Sequence, residues 1–125
     1  MRDKDSIMLP SFIICGYERG GTTLLSELIR QQGYYSLFEI GVLMNKTPKD
    51  FLNYQPYLNN LSKSLSNPTN TFLKDICSGS FEEFYEKIFR YAKNKKLYNH
   101  GENVKGYFDK TPIYMSNLRN CLNRT

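Results

Sequence analysis

The clearest pattern in the chain begins at Phe81. Phe81, Phe84, Tyr85, Ile88, Phe89 and Ala92 fall at i, i+3, i+4, i+7, i+8 and i+11, which draws one apolar stripe along a helix. Ser80-x-x-Glu83 places a capping box at its start, where the serine hydroxyl and the glutamate carboxylate each satisfy a backbone N–H. The stripe is aromatic, but its spacing is that of core packing rather than of a stacking surface for a ligand. Nearer the start, Leu24, Leu25, Leu28 and Ile29 recur at helical spacing after Thr22, and Gly33 supplies a stop. Thr47-Pro48-Lys49-Asp50 reads as another helix start, with Phe51, Leu52, Leu58, Leu61 and Leu65 on its inner face and Pro56 as a kink or break. Ser66-Asn67-Pro68-Thr69-Asn70 is a turn-rich linker, and Thr111-Pro112 opens a last helix carrying Ile113, Leu118, Cys121 and Leu122.

Two short apolar runs have the length of strands. Residues 11–16 (SFIICG) end in glycine and read as a buried strand; residues 104–109 (VKGYFD) read as a second. Residues 94–103 are polar and read as a surface loop. Strands separated by helical crossovers imply a parallel α/β sheet flanked by helices. Two strands make a small sheet, so the expected architecture is the opening part of a larger one.

Composition changes this picture little. A chain of 125 residues suits one domain, and 40% hydrophobic with 23% charged residues suits a globular protein. No apolar run reaches the roughly 20 residues that a membrane helix needs. Asp3, Asp5 and Pro10 break up the N-terminal segment, so no signal peptide is expected, and the expected location is cytoplasmic. Cys15, Cys77 and Cys121 are odd in number and widely spaced, which fits reduced thiols rather than a disulfide framework or a metal site. The net charge of +5 is spread out; Lys93, Lys95 and Lys96 are its only tight group, at the end of the aromatic helix. No nucleic-acid-binding pattern accompanies it, so no nucleic-acid partner is expected.

The candidate chemistry lies between the first strand and the first helix. Residues 16–23 (GYERGGTT) keep the Gly-x-x-x-x-Gly spacing of a phosphate loop, followed by two threonines. Glycines allow successive N–H groups to converge on one anion, and the following helix adds the positive end of its dipole. Thr22 and Thr23 can add hydroxyl donors. The lysine of the Walker pattern is replaced by Thr22, and the cation instead stands inside the loop, at Arg19. That arrangement suits a phosphate-containing donor that needs no metal.

Residues 10–25 (PSFIICGYERGGTTLL) resemble the start of the sulfotransferases that use 3′-phosphoadenosine 5′-phosphosulfate, whose loop typically reads Arg- or Lys-Ser-Gly-Thr-Thr. Arg19, Gly21, Thr22 and Thr23 match; Gly20 stands where serine is usual. Asp109-Lys110-Thr111-Pro112, followed by an apolar helix, resembles a second segment of one branch of that family, in the family's order. The resemblance implies a P-loop-like parallel sheet flanked by helices, of which residues 1–125 would be the N-terminal part of one sulfotransferase domain, ending before the 3′-phosphate-binding motif, so that this chain alone is expected to be weakly active or inactive. It implies that Arg19, Gly20, Gly21, Thr22, Thr23 and Leu24 hold the donor. It implies that Arg19, Glu39 and Lys110 carry the chemistry: Arg19 at the bridging oxygen, Glu39 as base toward the acceptor, Lys110 at the sulfuryl group. The cosubstrate is then 3′-phosphoadenosine 5′-phosphosulfate, without metal. The acceptor would be a hydroxyl or amine of a carbohydrate, lipid, peptide or small molecule. His100, the single histidine, lies in a polar Asn-His-Gly loop and is read as exposed. Asp109 and Thr111 are read as a strand end and a helix cap. The alternatives are a phosphate- or nucleotide-binding module without chemistry, and a kinase-like phosphotransferase.

Overall fold

A computed structural model describes residues 9–16, 21–37, 39–95, 97 and 104–124. Strand β1 (Pro10–Ile14) leads into helix α1 (Thr22–Gln31) and a two-residue strand β2 (Tyr34–Tyr35). Two 3₁₀ turns, Val42–Met44 and Pro48–Asn53, precede helices α2 (Tyr57–Ser64), α3 (Asn70–Ile76) and α4 (Phe81–Asn94). Strand β3 (Gly106–Lys110) follows, then a 3₁₀ helix (Pro112–Asn117) and helix α5 (Leu118–Arg124). The sheet is parallel, in the order β1-β3-β2, with Ile13 opposite Asp109 and Ile14 opposite Lys110. The expected α/β architecture with a parallel sheet and flanking helices is therefore present.

The sheet's third strand was not legible as an apolar run. Tyr34 and Tyr35 become a strand by pairing with Gly106 and Tyr107, a contact across 72 positions of sequence that local pattern does not encode. Tyr34 and Phe108 both pack on Phe12 or beside it: the Phe12 ring lies 5.3 Å from Tyr34 and 5.4 Å from Phe108.

The core lies on the other side of the sheet. There α4 delivers the stripe read from the sequence: Phe84, Ile88, Phe89 and Ala92 are fully buried, and Tyr85 almost so. Ser80 and Glu83 form the expected capping box, with Ser80 Oγ accepting from Glu83 N–H at 3.1 Å. Phe89 stacks on Tyr107 of β3 at 4.6 Å, and Phe84 meets Phe51 edge-on at 5.5 Å. Leu61, Leu65, Ile76 and Cys77 from the helices before α4 complete this cluster.

Three expectations change in detail. The segment opened by Thr47-Pro48 forms a 3₁₀ turn rather than an α-helix, and the α-helix begins only at Tyr57, after Pro56. Proline has no N–H to continue a helical ladder, so the chain restarts there. The last helix likewise begins as 3₁₀ and becomes α only at Leu118. Helix α1 forms where its periodicity predicts, but Leu24, Leu25 and Leu28 face outward, 68%, 46% and 50% exposed, while Ser26 is buried. Periodicity reports a helix; which side it presents is decided by the partner. No helix among the described residues is long and apolar enough to cross a membrane.

Candidate functional site at the strand ends

The carboxyl ends of parallel strands are where open α/β sheets gather ligands, because the loops there lead into helix N-termini. Here β1 and β3 end side by side. Thr111 N–H donates to the Ile14 carbonyl at 2.9 Å, and Gly16 N–H reaches the Pro112 carbonyl at 3.4 Å. The glycine loop thus leaves the sheet against the Asp109-Lys110-Thr111-Pro112 segment. Arg19 and Gly20 lie outside the described residues, as do Lys96 and His100.

The far end of the loop enters α1 at Gly21, which holds φ +88 in the left-handed region that glycine adopts without strain. A Cβ there would meet nothing within 4 Å, so backbone conformation and not space calls for glycine. Among the described residues two helices, α1 and α4, have ten or more residues, and they differ at their starts. α4 has its serine cap and two acids, Glu82 and Glu83, in its first turn; α1 has no side-chain cap and no acid in its first turn among the described residues. The start of α4 is satisfied from within, while among the described residues that of α1 carries no acidic counter-charge in its first turn. Gly21, Thr22, Thr23 and Leu24 all belong to this entry.

Glu39 and Lys110 meet across the strand ends. Lys110 Nζ lies 3.2 Å from Glu39 Oε2, with side chains 11% and 24% exposed, although 71 positions separate them in sequence. The pair is partly shielded from water, where a charge-assisted hydrogen bond is stronger than at an open surface. Glu39 reaches it from a strained backbone, with φ at +22.

Below this pair lies a group that sequence reasoning placed only in part. Asp109 is fully buried and its carboxylate accepts from three hydroxyls: Tyr85 Oη at 2.6 Å, Tyr114 Oη at 2.7 Å and Thr111 Oγ1 at 2.7 Å. The backbone of Ile40 adds a fourth hydrogen bond. Burial pushes the Asp109 carboxyl above the ordinary carboxylate range, and these four donors pull against that rise. Burial, with the neighbouring Asp109 charge, holds both tyrosines well above their ordinary value, so each keeps its proton to donate. Thr111 was expected as a helix cap; it stands at the cap position, but its hydroxyl serves Asp109 and Gly41 instead of the helix. Tyr85 was read as one more apolar residue of the stripe, and Tyr114 was not singled out. The signal in both cases is a tyrosine where phenylalanine would fill the same space: a buried hydroxyl needs a partner. Among the described residues no buried side-chain polar atom lacks one.

Among the described residues no group of three or more His, Cys, Asp or Glu side chains could hold a metal ion. Comparison with models of protein families, with curated proteins and with solved structures finds no match.

Proposed function

We propose that this chain carries the donor-side half of a sulfuryl-transfer site, using 3′-phosphoadenosine 5′-phosphosulfate as cosubstrate and a hydroxyl or amine as acceptor. The observation that carries the reading is the Glu39–Lys110 pair. Two residues assigned to the chemistry separately, Lys110 from the Asp109-Lys110-Thr111-Pro112 segment and Glu39 from its position after the first helix, stand 3.2 Å apart, at the strand ends from which the glycine loop departs. The entry of α1, which among the described residues has no side-chain cap and no acid in its first turn, supports the phosphate end of the same reading.

In this reading the acceptor oxygen or nitrogen attacks sulfur in line with the bond to the bridging phosphate oxygen. That S–O bond breaks, the electron pair leaves with the 3′,5′-bisphosphate, and the acceptor's proton passes to Glu39. Arg19 neutralises the leaving oxygen, and Lys110 balances both the carboxylate and the equatorial sulfuryl oxygens. The loop amides and the start of α1 hold the 5′-phosphate through Gly20, Gly21, Thr22, Thr23 and Leu24. The catalytic contribution is positioning and fixed charge, which is what transfer of a group with little covalent demand on the protein requires.

Isothermal calorimetry with adenosine 3′,5′-bisphosphate, with 5′-AMP and with Mg-ATP tests the reading. The bisphosphate is expected to bind most tightly, with affinity falling about tenfold or more in Arg19→Ala as one charge-assisted contact is lost. Preference for Mg-ATP would overturn the reading in favour of a phosphotransferase. Equal, weak binding of all three would reduce the loop to a general anion site.

A further inference from the structure

The segment 39–44 follows the short strand β2 and is buried in most of its length: Ile40, Val42 and Leu43 are fully inaccessible. A buried irregular segment must find partners for its backbone N–H groups, or each unpaired group costs free energy. These N–H groups are met by one short stretch of chain. The Asp109 carboxylate bonds to the backbone of Ile40, Thr111 Oγ1 accepts from Gly41 N–H at 3.1 Å, and Tyr114 Oη accepts from Leu43 N–H at 3.3 Å. Thr111 and Tyr114 are themselves oriented by donating to Asp109, and Tyr85 of α4 fills the remaining position on its Oδ2. Arg124 Nη1 holds the Leu43 carbonyl from the other side, at 2.7 Å.

Glu39 is the residue immediately before this grip. Its φ of +22 is one that a glutamate rarely takes, so the surroundings must enforce it. We propose that Asp109, Thr111 and Tyr114 are positioning residues: they clamp the backbone of residues 40–43 and so hold the Glu39 carboxylate against Lys110. Asp109 touches neither member of the pair through its side chain. It acts directly on the backbone of Ile40 and, through the two hydroxyls, on Gly41 and Leu43, so that one buried carboxylate organises three backbone anchors. The end of β3 and the 3₁₀ helix that follows it therefore supply both Lys110 and the anchors for its partner. That these residues serve transfer rests on the function proposed above; that they position Glu39 does not.

The test separates the two. Glu39 coupling to Lys110 is read from the change in the Glu39 side-chain carboxyl ¹³C resonance on replacing Lys110 with Met. The measurement is made in the wild-type chain, in Thr111→Val, in Thr111→Ser and in Tyr114→Phe. Amide hydrogen exchange is followed at Ile40, Gly41 and Leu43. Thr111→Val, which keeps shape and removes the hydroxyl, is expected to abolish most of the Lys110-dependent change. It should also speed exchange at Gly41 about tenfold relative to amides in α4. Thr111→Ser is expected to restore both, and Tyr114→Phe to act chiefly at Leu43. If Glu39 still senses Lys110 fully in Thr111→Val and in Tyr114→Phe, the clamp is refuted. Absence of any preference for adenosine 3′,5′-bisphosphate in the calorimetry described above would count against the proposed function, while the resonance measurement still decides the clamp.

Discussion

Gly41 shows how closely single residues define this molecule. It sits at φ +79, and a Cβ placed on it would come within 2.7 Å of Tyr57 Cδ1 and 2.8 Å of Cγ. Tyr57 cannot easily give way, because its ring stacks on Tyr54 at 5.1 Å. Gly41→Ala therefore combines a left-handed backbone, costing roughly 1–2 kcal/mol for a residue with a side chain, with an overlap against a stacked ring. A loss of about 2 kcal/mol or more in urea denaturation is expected; a change within about 0.5 kcal/mol would show that the segment can shift. Either result bears on Glu39, two residues away, whose own backbone is held at positive φ. The sequence displayed Glu39, Lys110 and Arg19 as candidate chemistry through motif resemblance. It did not display the Asp109 group, since four hydrogen bonds converging from residues 40, 85, 111 and 114 are a property of tertiary placement.

At the scale of elements, legibility followed how local each signal was. Helix α4 could be read almost residue by residue, because its cap, its acids and its stripe lie within the helix itself. Ser80→Ala removes the hydroxyl that accepts from Glu83 N–H and is expected to cost about 1 kcal/mol in thermal or urea unfolding. A neutral outcome would mean that Glu83, which also reaches Ser80 N–H at 3.2 Å, secures the first turn unaided. Helix α3 went unread: it has seven residues, two of them buried and apolar, too few for a periodic stripe, although Thr69 caps it through Phe72 N–H at 3.1 Å. For α1 the period was legible and the buried side was not. Arg30, not a leucine of this helix, lies over the sheet, 5.7 Å from the centre of the Phe108 ring.

Across the whole molecule, buried neutral acids set the alkaline limit of the fold. Burial raises the Cys77 thiol from 9.0 to about 11, and burial, opposed by the Arg30 charge, raises the Tyr35 hydroxyl from 10.0 to about 12. In each window the unfolded chain has released a proton that the folded chain keeps. The native state then binds more protons, and unfolding free energy falls as pH rises, by about 1.4 kcal/mol per pH unit for each such proton. The stability contribution is thus complete below pH 9.0 and is lost progressively above it. Urea titrations across that range should show this decline, with a shallower slope in Cys77→Ala; a flat profile would contradict the burial of these groups. Strand β3 places a different limit on the chain. Tyr107 and Asp109 turn toward α4, meeting Phe89 and Tyr85, while Phe108 lies against Phe12 and Lys110 reaches Glu39. Removing one residue ahead of Asp109 would exchange the two sides, carrying the Lys110 ammonium to the side of the tyrosine pocket and the Asp109 carboxylate to the side that holds Phe108. A substitution here disturbs one side of the sheet at a time, whereas a change of length disturbs both.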